Sequence, residues 1–286
     1  MKLLLLQRRE AVRREAVGSY SCEQCGRPLS PEYKFCPACG TPRRGVSYVR
    51  RVSTGNPAID EILEGGFEVG KTYLLAGEAG TGKTIFSLQY LLHGAKNNEP
   101  GIYVTIDERP EMLVRDVRNF GWDLQPLIET KKLAILPVRR YFTSKMWGRE
   151  MDTIVNNIIE ELDRRRREIG AKRLVIDPIA PLVTTYSNEV AWVREYIRSL
   201  IFSIEEKLGV TTVITSEVPT GENMMSRYGV EEFLASGVIL LSLSRVGNSI
   251  IRTMFIRKMR WTAVNPTIYR FEIERGRGIV LKEPLS

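Results

Sequence analysis

The chain has 286 residues, enough to bury a full-sized core, and none of its apolar runs approaches the ~18–20 residues of a membrane-spanning helix. Its 42 Lys and Arg against 34 Asp and Glu give a net charge of +8, and the excess is local: residues 1–51 carry 11 basic against 4 acidic side chains, the remainder 31 against 30. All four cysteines fall between positions 22 and 39, which excludes a fold stapled by disulfides throughout and makes a reducing, cytoplasmic setting the expectation.

From the N-terminus, residues 1–19 read as a basic helix or flexible arm, with Arg8, Arg9, Arg13 and Arg14 offered to an acidic partner or simply to solvent. Residues 20–42 form a separate module. Cys22-Glu23-Gln24-Cys25-Gly26 and Cys36-Pro37-Ala38-Cys39-Gly40 are two similar knuckles, with ten residues between Cys25 and Cys36. Each Cys-x-x-Cys turn sets two sulfurs on one side, and the Gly that follows tolerates the positive φ that lets backbone N–H groups face them. Cys22, Cys25, Cys36 and Cys39 thus close a tetrahedral structural site with no open position, for Zn²⁺ first, with iron as the alternative on the same ligands. So small a module has little core, and metal binding supplies its folding energy. Thr41-Pro42-Arg43-Arg44-Gly45 follows as a linker, and residues 43–286 form the main domain.

There the pattern becomes strand, helix, strand, helix. β-rich apolar runs at 72–76, 102–106, 133–136, 174–176, 210–215 and 238–244 alternate with amphipathic stretches at 84–93, 111–120, 151–168 and 191–207. Such alternation predicts an α/β fold with a mostly parallel sheet flanked by helices. The runs 250–259, 268–273 and 278–281 follow one another without a helix, predicting C-terminal antiparallel strands at one edge of that sheet. His93, the single histidine, reads as a helix-end residue.

Gly77-Glu78-Ala79-Gly80-Thr81-Gly82-Lys83-Thr84 matches GxxxxGK[ST] with a strand before it and a helix after it. The glycines let backbone N–H groups converge on phosphate oxygens, and the helix adds its positive end. Lys83 is placed to reach the β- and γ-phosphates of ATP, and the Thr84 hydroxyl to ligate Mg²⁺. Asp177 ends the apolar run 173–176, the position from which a carboxylate holds Mg²⁺ through water. Asp107 and Glu108 end another strand and are candidates to orient and deprotonate the attacking water, with an acidic helix start as the simpler explanation.

From residue 49 to 281 the chain resembles the KaiC-like branch of the RecA-type ATPases. Besides 77–84, the resemblance is carried by Ser53-Thr54-Gly55, Asp60-Glu61-Ile62-Leu63-Glu64-Gly65-Gly66-Phe67, Val104-Thr105-Ile106-Asp107-Glu108, Val175-Ile176-Asp177 and Gly229-Val230-Glu231-Glu232-Phe233. It implies a ring, usually of six subunits, with ATP between neighbours. Within Lys258-Met259-Arg260-Trp261-Thr262, the resemblance makes Lys258 and Arg260 the cations that reach a neighbour's γ-phosphate; an edge strand with alternating exposed cations is the bland alternative. It also makes Ser216 a γ-phosphate sensor that passes its state to residues 218–228. The sequence departs from the family pattern at Asp107, one methylene shorter than the usual Glu, at Trp261 for Gly, and around Val264 for His. A single ATPase domain is present where the clock proteins have two, so clock function and autophosphorylation do not carry over.

Three functions compete: a ring-forming ATPase switch acting on a protein partner, a recombinase paralogue binding single-stranded DNA, and a docking module that binds ATP without appreciable turnover. The residues 218–229 offer a DNA strand only Arg227 and Tyr228, which disfavours nucleic acid as the partner.

Overall fold

The residues 72–77 are buried without a break, which a strand tolerates only when helices cover both faces of its sheet. The computed structural model describes residues 20–30, 33, 35–41, 49–106, 108–138, 151–180, 182, 190–218 and 224–285. The basic helix or flexible arm expected over 1–19, most of the linker, Asp107 and residues 219–223 of the segment after Ser216 lie outside them.

In the ribbon, β1 (Tyr20–Ser21) and β2 (Pro28–Leu29) form a two-stranded antiparallel pair. A second small pair, β3 (Arg51–Val52) and β4 (Phe67–Glu68), brackets α1 (Pro57–Ile62). The main sheet contains β5 (Thr72–Gly77), β6 (Gly101–Thr105), β7 (Leu133–Pro137), β8 (Arg173–Asp177), β9 (Thr211–Glu217), β10 (Gly237–Val246), β11 (Ser249–Met259), β12 (Ile268–Glu274) and β13 (Gly278–Pro284). These nine strands run in the order β13-β12-β11-β10-β5-β9-β8-β6-β7. From β10 to β7 the pairs are parallel, and β10 to β13 are antiparallel, the mixed α/β sheet expected.

Alternation along each strand divides the core. Leu75, Tyr103, Val175 and Val213 face α2 (Lys83–Lys96) and α3 (Pro110–Asn119). Leu74, Val104, Ile176 and Ile214 face α5 (Met151–Ile169) and α6 (Val190–Ser203), beyond the short α4 (Gln125–Glu129). The α5 stripe Ile154, Val155, Ile158, Ile159 and Leu162 is helical spacing on one face. The helix expected over 191–207 is α6 followed by a π-helical turn at Ile204–Leu208, ended by Gly209 at φ 61°. A short α7 (Glu231–Leu234) precedes β10.

One buried ion pair lies where β8 and β6 begin. Arg173, 1% exposed, donates to Glu99 at 2.5 and 2.9 Å, to the Ser53 and Tyr90 carbonyls at 2.8 Å each, and lies over the Tyr90 ring. Asp60, fully buried at the end of the first turn of α1, accepts from Ser53 Oγ, and from Thr54 N and Oγ1 at 2.7 Å each. These contacts fix the 53–66 lead-in.

The ribbon is seated on that lead-in. A Cβ on Gly40 would lie 2.5 Å from the Gly65 carbonyl oxygen, and Gly40 holds φ +72°. Phe35 also packs on Gly65, and His93 Nε2 lies 2.8 Å from the Ala38 carbonyl oxygen. His93 ends a helix as expected, and it also joins the two modules. Among the described residues, no helix is long and apolar enough to cross a membrane.

Candidate nucleotide site and metal ribbon

The cleft opens at the C-terminal ends of the parallel strands. It is formed by the turn that joins β5 to α2, with a volume of about 420 Å³. Gly77 packs so closely on β10 that a Cβ would meet the Leu241 carbonyl oxygen at 2.3 Å, and Gly82 caps α2 at φ +107°. Thr81 Oγ1 closes the turn onto the Glu78 carbonyl at 2.8 Å. Lys83 Nζ donates to the carbonyls of Gly77 at 2.8 Å and Glu78 at 3.0 Å, which holds the ammonium over the loop. Burial lowers the Lys83 pKa, while Glu217 and Asp177 pull it back up.

The head of the cleft is built around Asp177. Thr84 Oγ1 donates to its Oδ2 at 2.8 Å, Tyr103 OH to the same oxygen at 2.5 Å, and Thr215 Oγ1 to Oδ1 at 2.5 Å. A hydroxyl and a carboxylate side by side are the hard oxygen donors Mg²⁺ takes beside phosphate. Four elements thus meet at Asp177: the start of α2, β6 through Tyr103, the end of β8 and the end of β9. With nucleotide bound, the metal would neutralise phosphate charge there, and the loop glycines leave room for phosphate oxygens that side chains would fill.

Glu108 and Glu217 line the cleft with Asp177 and Lys83. Thr105 Oγ1 donates to the Glu108 carbonyl at 2.8 Å, which fixes the turn after β6. Partial burial raises the Glu108 pKa, with the charges of Asp116 and Asp177 adding to it. Asp107 lies outside the described residues.

Ser216 does not line the cleft. It is fully buried, donates to Glu231 Oε1 at 3.0 Å and accepts from the Arg227 N–H at 2.9 Å, so alternation along β9 gives the cleft position to its neighbour Glu217. Glu231 also accepts from Ser226 Oγ at 2.6 Å and from the N–H groups of Tyr228 and Val230. This buried carboxylate staples residues 226–230 to the end of β9, a role that the motif at 229–233 did not reveal.

Lys258 and Arg260 stand away from their own cleft. Lys258 pairs with Val238, which pairs with Leu74, three residues before Gly77 on the strand. Lys258 Nζ donates to the Glu232, Phe233 and Ala235 carbonyls at 2.9, 3.2 and 2.7 Å, and Arg260 donates to the Phe233 carbonyl at 3.1 Å. Burial, then Arg260, lowers the Lys258 pKa. β12 pairs with β11 only over Arg252–Phe255, so among the described residues the strand at Lys258 has a neighbour on one side alone. A cation that the sequence did not single out, Arg252, reaches the Gly80 carbonyl at 3.4 Å.

In the ribbon the four thiol sulfurs lie within 4.8 Å of one another, with Cys22–Cys39 at 3.4 Å and Cys25–Cys36 at 3.6 Å. Those spacings are far beyond an S–S bond of ~2.05 Å and close to the ~3.8 Å edge of a tetrahedron with Zn–S bonds of ~2.3 Å. Gly26 and Gly40 adopt φ +73° and +72°, and their N–H groups close matching turns on Cys22 O and Cys36 O. The thiolate set fits Zn²⁺.

This fold and cradle define a RecA-type nucleotide-binding domain carrying a zinc ribbon. The family model described as "ATPase: KaiC" matches residues 52–286, and one described as a zinc-ribbon domain matches residues 21–43. The chain belongs to the KaiC-like ATPase family. It is 38% identical over 215 residues to the circadian clock oscillator protein KaiC of Prochlorococcus marinus, covering 75% of this chain and 42% of that protein. It therefore spans about two-fifths of the clock proteins it matches. A UPF0273 protein of Pyrococcus horikoshii is 35% identical over 244 residues, covering 81% of this chain and 94% of that one. The crystal structure of a KaiC-like protein from Pyrococcus horikoshii superimposes with a TM-score of 0.69 at 40% identity, covering 82% of this chain and all of that one.

Proposed function

We propose that the chain hydrolyses ATP with Mg²⁺ in the cleft at residues 77–84, as a subunit of a ring, usually of six, that changes shape for a protein partner. The observation that carries this is the meeting of Thr84, Asp177 and Lys83 in one cleft with Glu108 on its wall. Lys83 serves the β- and γ-phosphates, Thr84 and Asp177 the metal, and Glu108, with Asp107, the attacking water. Glu217 replaces Ser216 as the side chain best placed to sense the γ-phosphate. Arg260 serves the neighbouring subunit, and Lys258 orders α7 beside it.

Residues 1–19 are then a basic helix or flexible arm, 20–42 the Zn²⁺ ribbon and 43–286 the ATPase domain, working in the reducing cytoplasm. The ribbon is the docking module for the partner. A recombinase paralogue acting on single-stranded DNA is the alternative, kept by the basic N-terminal 51 residues. ATP hydrolysis by the purified chain, with and without saturating single-stranded DNA and with Lys83→Ala as the blank, separates the two. Turnover that DNA leaves unchanged supports the protein-directed switch. Stimulation of several-fold favours the recombinase.

A further inference from the structure

Asp177 is held by more than the cradle requires. An ionised carboxylate offers about four lone-pair sites, and three O–H groups occupy it here. Thr84 belongs to the cradle. Tyr103 and Thr215 belong to β6 and β9, the strands on either side of β8 in the sheet. Tyr103 pairs across the sheet with Val175, two residues before Asp177, so its phenol runs beside β8 toward the cleft and its hydroxyl ends on Oδ2. Thr215, one position past the last β8–β9 partner pair, reaches Oδ1 from the other flank.

A buried phenol needs an acceptor somewhere, and many such pairs do no more than satisfy it. Two features go further. The phenol shares its acceptor oxygen with the hydroxyl of the cradle threonine, and the second donor fixes the opposite oxygen, so the carboxylate can neither rotate about Cβ–Cγ nor leave the cleft. Tyr103 also forms part of the cleft wall.

We propose that Tyr103 and Thr215 are positioning residues that orient the Asp177 carboxylate, and so set the affinity of the cleft for Mg²⁺ accompanying a nucleotide. Partners behind a metal-directed carboxylate characteristically govern metal affinity while leaving the other ligand contacts intact. This rests on the nucleotide assignment above.

The test uses the full chain and a fluorescent ATP analogue, titrated first in EDTA and then with increasing Mg²⁺. The first titration reads the cradle alone, and the second reads the metal. Thr215→Val is expected to leave the EDTA affinity unchanged, and both Thr215→Val and Tyr103→Phe to raise the half-saturating Mg²⁺ concentration by ~10–100-fold. Thr215→Ser, which keeps the hydroxyl, restores the wild-type value. If Tyr103→Phe does not fold, the Thr215→Val and Thr215→Ser pair still decides the matter. Mg²⁺ dependence equal to wild type in the folded variants overturns the positioning role alone. A wild-type chain that binds nucleotide without any response to Mg²⁺ overturns it together with the metal assignment.

Discussion

His93 Nε2 lies 2.8 Å from the carbonyl oxygen of Ala38, so the last turn of the helix that begins at Lys83 rests on the second cysteine knuckle. The ribbon also covers Gly65 through Phe35 and Gly40. It is therefore joined to the lead-in and to α2 and not carried as a loose appendage. Stripping the metal should unfold the ribbon and lower the melting temperature of the main domain. His93→Ala, which removes one hydrogen bond of about 1 kcal/mol, should lower the melting temperature by ~2–4 °C in metal-loaded protein. In chelated protein it should change nothing. Equal effects in both states, by differential scanning calorimetry, would refute the coupling.

Asp60 gives a stability trend opposite to the usual carboxylate. Burial pushes its pKa up to about 6, against the hydrogen bonds from Ser53 and Thr54 that favour the charged form. A folded pKa above the unfolded value of ~3.9 means the native state binds the extra proton, so this stability is present below pH ~4 and lost as pH rises through about 6. Two units correspond to about 3 kcal/mol. The difference in unfolding free energy between wild type and Asp60→Asn should fall by this order between pH 4 and 7 in urea titrations. A flat difference would show that Asp60 does not titrate there.

Glu108→Gln should retain nucleotide and lose about 10²–10⁴-fold in hydrolysis, the usual contribution of a positioned base. Burial and the charges of Asp116 and Asp177 raise its pKa. The acidic limb of the pH–rate profile should therefore lie above the ordinary glutamate range. Asp116→Asn should move that limb toward lower pH without abolishing turnover. Steady-state rates from pH 4.5 to 8 check both.

Lys258 and Arg260 should separate by experiment. Lys258 holds three carbonyls at the end of α7, so Lys258→Ala should destabilise the chain on its own. Arg260 is exposed, with one carbonyl contact. Arg260→Ala should leave the melting temperature unchanged and reduce hydrolysis only in the assembled oligomer. Mixing Arg260→Ala with Lys83→Ala subunits should recover turnover at sites that pair an intact cradle with an intact arginine. No recovery in mixed assemblies would remove Arg260 from the neighbour's site.

Breaking the Arg173–Glu99 pair should be costly. Both side chains are buried, so Arg173→Met leaves Glu99 charged and unpaired at a cost of about 3–5 kcal/mol. Chemical denaturation of the variant measures this, and Arg173→Met with Glu99→Gln should recover part of the loss.

The sequence made the cradle legible because glycines, lysine and threonine at fixed spacing have few other uses, and the cysteine knuckles for the same reason. The parallel core was legible through strand runs buried on both faces. Tyr103 escaped notice because, between Ile102 and Val104, it reads as one more core residue of a β run. Ser216 and Glu217 differ by one position on β9, and a one-residue step exchanges the faces of a strand. The Glu231 staple joins β9 to residues 226–230 and depends on their meeting in space. The His93 contact spans 55 residues to a backbone carbonyl, which carries no side-chain signature at all.

The most direct test of hydrolysis in the 77–84 cleft is phosphate release from Mg·ATP by the purified chain, measured beside Lys83→Ala and Glu108→Gln. Wild type should turn over steadily, Lys83→Ala not at all, and Glu108→Gln should hold bound but unhydrolysed nucleotide. Phosphate release by Lys83→Ala at the wild-type rate, or a wild-type chain that binds ATP and never releases phosphate, would contradict it.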